Sequence, residues 1–347
     1  MTKLKKKVVV IGAGHNALTC ASYLAKSGFE VEVHESRSEV GGMACTREFT
    51  EGYKVPGVAH LLHMLNPGIQ KWLGLNKNGL EFAASRLKTI SLNPNGNALV
   101  IDGDHLEGDG ITDQHRAEFK SFKKKTNSLA QFFRSAYQIS PPRIRTDNKK
   151  DLLGLMQTGW NLRTMGNEGM TDMLRFIAIN VFDLLDEYFD NDFIKGSLAI
   201  DAVLGNHLGP RTNNSVITYL HTLTGEIDGV QGAYAIPKGG MSSYTDALKN
   251  SAEKLGVRIV LDSHVEQIIV DENGKASGVK FAKGNEVGAD VVVSGIDPKS
   301  TFMCLVGARH LEAGFVHKIN NVRMRGNASK LHLALSGLPS FNGVDEQ

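Results

Sequence analysis

The run Gly12-Ala13-Gly14-His15-Asn16-Ala17 sets two glycines and a small residue at the spacing of a phosphate-cradling turn, and Glu35 follows at the end of the next alternating stretch. Each residue type answers a physical need. Gly12 permits a tight turn, Gly14 places no side chain between the backbone and a diphosphate, and Ala17 is small enough for a helix to lie on a strand. Free N–H groups at the start of that helix, at the positive end of its dipole, would take the phosphates. Glu35 can accept hydrogen bonds from the ribose hydroxyls of an adenosine half, and it disfavours a 2′-phosphate. The pattern points to a dinucleotide without choosing between FAD and NAD. His15 and Asn16 have two readings, a contact to phosphate or flavin and a polar helix start.

The surrounding elements are those the turn requires. Val8, Val9, Val10 and Ile11 form an all-apolar run, the pattern of a parallel strand covered on both faces. Leu18, Ala21, Leu24 and Ala25 recur with a helical period, and Gly28 stands where a helix stops. Residues 30–35 then alternate, with Val31 and Val33 on one face, which predicts a second strand ending on Glu35. A strand, a glycine turn, a helix and a second strand closed by a carboxylate form the full dinucleotide context.

Beyond Glu35 come Ser36, Arg37, Val40-Gly41-Gly42-Met43 and Thr46. In this order the sequence resembles the flavin-dependent family that includes phytoene desaturases, amine oxidases and protoporphyrinogen oxidases. Gly14-His15-Asn16 points within it to the phytoene-dehydrogenase-like branch, that of pyridine nucleotide-disulphide oxidoreductase domain-containing protein 2. The resemblance implies FAD as cofactor, with Gly41 and Gly42 wrapping its diphosphate and ribityl chain and with Ser36, Arg37 and Met43 beside them. The chain departs from many relatives at Ala17, where they carry Gly, and at Met43, where they carry an Arg that adds a diphosphate contact. Weaker landmarks of the same branch follow in order: Asp183-Leu184-Leu185 with Phe189, Ala199-Ile200-Asp201 with Gly205, Gly209-Pro210, then Gly225-Glu226 and Gly229. Pro237-Lys238-Gly239-Gly240-Met241 looks like the family's entry into a helix that returns the chain to the flavin domain, though an ordinary glycine loop before a helix reads the same way. In relatives the backbone at the position of Val265 meets the adenine ring, and Gly295 ends the last strand of the flavin domain.

Residues 51–230 read mainly as helices and connections. Residues 119–133 are amphipathic, with Lys120, Lys123, Lys124 and Lys125 on the wet side, and Pro141-Pro142 breaks what precedes it. Residues 151–165 and 170–189 are further helical candidates. Residues 257–261 and 265–270 alternate, Asn273-Gly274 is a hairpin turn leading to Val279-Lys280-Phe281, and residues 289–294 return as an apolar strand. Residues 330–335 alternate and predict one more strand. The fold class expected is α/β: a Rossmann-like, glutathione-reductase-like FAD-binding domain over residues 1–65 and 235–300, interleaved with a mixed α+β substrate domain over 66–234 and 301–347. Relatives close the flavin site with a further C-terminal segment. The substrate domain is therefore expected to be C-terminally incomplete, to be completed by such a segment or by a second chain, and the chain alone to hold FAD loosely.

Bulk properties bound the function. A chain of 347 residues, 41% apolar and 22% charged, suggests about two ordinary domains. Its 39 Lys and Arg against 37 Asp and Glu make no face basic enough for nucleic acid. Cys20, Cys45 and Cys304 are far apart, and the 12 histidines are scattered without an HExxH pair, so no metal site is expected and a reducing compartment fits. No apolar run reaches the roughly 18 residues needed to span a bilayer, which leaves a soluble, cytoplasmic protein, with or without peripheral membrane contact. The resemblance implies hydride transfer from a hydrophobic, isoprenoid-like small molecule to flavin. The cofactor carries that chemistry, so no side chain is singled out as catalytic. A flavin amine oxidase and a non-catalytic lipid- or prenyl-binding module on the same fold are the alternatives. A disulphide reductase is disfavoured, because Cys45 has no partner and no second nucleotide fingerprint is present; NADPH is accordingly not the expected electron donor.

Overall fold

The first residues past the N-terminus settle into the middle of a sheet. Lys7–Ile11 (β1) pairs in parallel with Glu30–His34 (β2) on one side and with Val291–Ser294 on the other, and Arg258–Val260 extends the sheet beyond β2. Val8, Val9 and Val10 are fully buried, which is why this run carries no polar residue. The connection from β1 to β2 is the helix His15–Lys26 (α1), which buries Ala17, Leu18 and Ala21 and stops before Gly28. An antiparallel meander of Val265–Val270, Ala276–Phe281 and Glu286–Gly288 supplies Val265, Ile268, Val279 and Phe281, which pack with Val9 and Ile11. The turn at Asn273-Gly274 is the one expected, with Gly274 at φ 75°.

The computed structural model describes residues 5–143, 148–164, 166–324, 326 and 328–344. The chain divides into two compact units, one of Met1–Leu62, Pro67–Ala84 and Ile236–Met324, the other of His63–Asn66, Ser85–Ala235 and Arg325–Gln347. Residues 67–84 and 301–324 thus fall in the first unit, where the sequence reading had put them in the second. Their hydrogen bonds explain it. The helix Met241–Lys254 gathers the 67–84 segment through Ser251 Oγ donating to the Leu73 carbonyl at 2.9 Å and Asn250 Nδ2 donating to the Asn78 carbonyl at 3.1 Å. Past Val291–Ser294, the helical turn Ser300–Gly307 is fastened by Ser294 and Thr301 hydroxyls 2.7 Å apart, and Leu305 and Val306 join the core under the meander.

The second unit is built on helices Asp113–Ala136, Gly166–Ala178, Val181–Tyr188, Asp192–Val203 and Ser215–Thr222, around a core centred on Phe119, Phe122, Phe176, Leu184, Leu185 and Ile194. Side chains start these helices where backbone donors have no partner: Thr112 and His115 form a capping box, and Asn180 and Asn191 accept from the amides that follow. The sequence reading missed the antiparallel sheet of Thr89–Ser91, Leu99–Asp102 and His105–Glu107, because three or four residues are too few to show a period. It also treated four lysines alike. Lys120 and Lys124 are exposed and Lys125 pairs with Asp172 at 2.7 Å, but Lys123 lines a cavity. The candidate helix 151–165 is found as Lys149–Thr164, residue 165 lying outside the described residues. Residues 330–335 are not a strand: among the described residues no ladder pairs them, and Leu331, Leu333 and Leu335 are all exposed. Alternation alone does not make a sheet. No helix of the described residues is long and apolar enough to cross a membrane.

Gly295, just past the strand Val291–Ser294, is packed closely against α1 and the end of β1. A Cβ there would stand 2.5 Å from the Ala17 Cβ and 3.1 Å from the Ile11 carbonyl oxygen. Gly295→Ala should therefore cost about 1–3 kcal/mol of unfolding free energy by overpacking. Denaturant unfolding checks this, and a variant as stable as the parent would show that α1 does not press on the strand end.

Candidate dinucleotide site

Where β1 ends, the chain turns across the carboxyl ends of the parallel strands. Gly12 sits at φ 86°, and its N–H donates to the His34 carbonyl at 2.8 Å, which ties the turn to the end of β2. The next amide, that of Ala13, donates to Glu35 Oε2 at 2.7 Å. The other carboxylate oxygen, Oε1, accepts from the Arg37 N–H at 3.0 Å and the Ser36 hydroxyl at 3.2 Å. Glu35 is thus buried and shared between the glycine turn and its own loop. Gly41 N–H donates to the Ala13 carbonyl at 2.8 Å, so the double glycine is drawn onto the same turn. A Cβ on Gly42, at φ 60°, would lie 3.3 Å from the Gly14 Cα.

Gly14 differs from these glycines. Its φ of −69° and ψ of 166° are open to any residue, and a Cβ built on it meets nothing within 4 Å. Nothing in the protein requires a glycine there. The space beside it is a cavity of about 530 Å³, within the usual range for small-molecule sites. α1 begins at this cavity with no side-chain cap and no acidic residue in its first turn, which leaves its amides and its positive dipole end to whatever enters. Burial pushes the His15 imidazole below its ordinary value, so it faces the cavity as a neutral ring.

Of the residues singled out from sequence, Gly12, Gly14, His15, Asn16, Glu35, Ser36, Arg37, Gly42, Met43 and Gly295 line this one cavity. Ala17 does not; it is buried where α1 meets Gly295. Gly41 stands behind the turn, where a Cβ would lie 2.8 Å from Thr245 Oγ1. Val265 places its side chain in the core with Val9 and Ile11, away from the lining. Thr46 serves as a tie: its N–H donates to Ser242 Oγ at 2.8 Å, and the Ser242 N–H donates back to Thr46 Oγ1 at 3.2 Å. Gly240, at φ 85°, allows that approach, which accounts for the Gly239-Gly240-Met241 entry to the helix.

The sequence reading did not find Cys45, Arg47, Gly57, Val58, Ile296 and Asp297, which complete the lining. Arg47 also lines the cavity, and its guanidinium lies 3.6 Å from the Glu39 carboxylate. Asp297 is turned to its own chain: its Oδ1 accepts from the Ser300 N–H at 2.8 Å, and the hydrogen bonds from Ser300 hold its carboxyl below the usual range. Cys45 donates to the Gly42 carbonyl at 3.1 Å, burial pushes its thiol up, and it is unpaired, so it is a packed protonated thiol without a redox partner.

Residues 18–339 match the family described as flavin containing amine oxidoreductase. The chain belongs to that family. Flavin is therefore the cofactor that this cavity has to be measured against, and the fold is of the α/β class. Within the flavin-containing family it is 29% identical over 353 residues to the Rattus norvegicus protein named pyridine nucleotide-disulfide oxidoreductase domain-containing protein 2, covering 97% of this chain and 61% of that one. It is 24% identical over 365 residues to a phytoene desaturase of Fusarium fujikuroi, covering 99% and 60%. Among solved structures, cyclohexylamine oxidase from Brevibacterium oxydans aligns with a TM-score of 0.53 at 18% identity, over 91% of this chain and 63% of that one, a likeness of fold. The chain spans about three-fifths of the length of these curated relatives.

Glu35→Ala leaves the Ala13 and Arg37 amides without their acceptor. The expected loss, before any ligand is added, is about 1–3 kcal/mol of stability, with faster hydrogen exchange at both amides. Unchanged exchange at Ala13 would contradict the shared role of this carboxylate.

Proposed function

We propose that this chain is the FAD-holding part of a dehydrogenase- or desaturase-type oxidoreductase that takes hydride from an apolar small molecule. The observation that carries the reading is Gly14, a glycine that neither backbone conformation nor packing demands, placed where the uncapped start of α1 opens into the cavity. A side chain there would block only a ligand, and a diphosphate is the ligand that uncapped helix amides and a close backbone approach suit. Glu35 would then take the adenosine ribose with lone pairs left over from Ala13 and Arg37. Arg37 and Arg47 would face the diphosphate, and Gly42 and Met43 the chain beyond it. FAD, when bound, supplies the hydride acceptor, and the protein's part is to bind, orient and exclude water.

The substrate class follows from the relatives, not from a catalytic side chain. Phytoene desaturase is matched in sequence over nearly the whole of this chain, whereas cyclohexylamine oxidase is matched at the level of fold alone, although the matching family model is itself described as amine oxidoreductase. An oxidised hydrocarbon skeleton is therefore favoured over an amine. The buried, unpartnered Cys45 gives no support to disulphide chemistry.

Gly14→Ala separates fold from ligand. Its unfolding free energy without cofactor should change by no more than about 1 kcal/mol, the usual range for a helix N-cap exchange. Its affinity for FAD, followed by quenching of flavin fluorescence, should fall about tenfold or more, equivalent to at least about 1.4 kcal/mol. Equal FAD affinity in parent and variant would remove the diphosphate from this turn.

A further inference from the structure

The helix Lys149–Thr164 of the second unit carries its large apolar side chains on the outside. Helical geometry sets Leu152, Leu153, Met156 and Trp160 within one arc of about 100°. They are 46%, 69%, 73% and 67% exposed. The opposite arc holds Asp151, Gly154, Leu155 and Thr158, all half-buried, and is the side that packs. Gly154 suits that side: a Cβ there would stand 3.3 Å from the Pro142 Cβ, and the Thr158 hydroxyl is turned back onto the Gly154 carbonyl at 2.9 Å. The usual order of a surface helix, apolar in and polar out, is thus largely reversed. The next helix, Gly166–Ala178, adds exposed Met170 and Leu174 while sending Met173 and Phe176 into the core. Single exposed apolar residues are ordinary, but six on two successive helices form the kind of patch that marks an interaction surface.

The charges around the stripe select what covers it. Lys149 and Arg163, both exposed, fall in the same arc at its two ends, about 20 Å apart along the axis. From 143 to 163 the sequence holds five cations, Arg143, Arg145, Lys149, Lys150 and Arg163, against two carboxylates, Asp147 and Asp151. Asp151 is on the packed arc. On the neighbouring helix Asp172 pairs with Lys125 and Arg175 with Glu187, and Glu168 is exposed near its start. A second copy of this chain laid along the stripe, in either direction, would set cation against cation at both ends. An anionic lipid surface instead takes the apolar side chains at the acyl boundary, the indole at headgroup level and the cations against phosphate. We propose that the outer face of Lys149–Thr164, with Met170 and Leu174 beside it, is a docking surface for an anionic bilayer. A helix of 16 residues with a cation near each end lies on such a surface and does not cross it. This docking does not depend on what the first unit binds.

The chain has two tryptophans, Trp72 and Trp160, and Trp72 is stacked on Tyr23 in the first unit. Trp72→Phe therefore leaves Trp160 as the one indole reporter. Flotation of the full chain with vesicles of phosphatidylcholine, alone or with about a quarter phosphatidylserine, measures binding, and brominated acyl chains report contact with Trp160. The chain should bind the phosphatidylserine vesicles about tenfold or more tightly than phosphatidylcholine alone, a preference that high salt removes. Trp160 emission should move to shorter wavelength and be quenched by the bromines. Met156→Gln with Trp160→Gln should weaken binding about tenfold or more, and Lys149→Gln with Arg163→Gln should abolish the preference for anionic lipid. All four side chains are exposed, so these variants alter the surface and leave the core as it is. Should a double variant fail to fold, quenching of Trp160 in the Trp72→Phe chain still decides. Three results would overturn the proposal: no binding to either vesicle, binding that leaves Trp160 unshifted and unquenched, or a dimer in solution that Met156→Gln with Trp160→Gln dissociates, which would give the face to a second copy. FAD titration of the same samples reports separately on the first unit, so the two readings fail independently.

Discussion

The Glu35 carboxylate, held by the Ala13 amide from one side and the Arg37 amide from the other, is the constraint that shapes the first unit. A turn that leaves a helix start uncapped must still satisfy the amides that precede it, or the exposed end costs more than it offers. Ala13 finds its acceptor one strand away, and Gly12 finds the His34 carbonyl beside it. With those two donors engaged, the amides of α1 are left pointing into open space. The polarity of the cavity is thus a consequence of which amides the fold satisfies and which it spares.

The parallel sheet makes this arrangement rigid. β1 is flanked on both sides by parallel strands, so its end, the end of β2 and Gly295 come to one edge and cannot shift separately. The carboxyl edge of such a sheet is where ligands bind in open α/β folds. Thr46 and Ser242 close the arrangement with reciprocal hydrogen bonds. The second unit solves a different problem, burying a helical core around Phe122 and Phe176 while keeping Lys123 and Asp201 in a polar space within it.

The parts of the candidate site legible in the sequence are those whose meaning is local. Gly12, Gly14 and Glu35 carry their roles in type and spacing, and the double glycine follows within a few residues. Gly57, Val58, Ile296 and Asp297 carry no such signal, because they reach the cavity through strand pairing and the loops at its edge. Lys123 was misread for a related reason: a helical period assigns it to the polar face, but only the neighbouring helices decide whether that face is wet. The short strands between Thr89 and Glu107 are invisible to periodicity, whereas residues 330–335 show a period that no ladder among the described residues uses. The boundaries of the two compact units depend on side-chain ties such as Ser251 to Leu73 that no local pattern announces.

The central claim is that the cavity at the start of α1 recognises an adenosine diphosphate through helix amides and an acidic ribose partner. Equilibrium binding of ADP and of its 2′-phosphorylated form to the unliganded chain tests it most directly. The account predicts that ADP binds and is displaced by FAD, while the 2′-phosphate, set against the Glu35 carboxylate, weakens binding about tenfold or more. Equal affinity for the two nucleotides, or ADP that FAD does not displace, would contradict it.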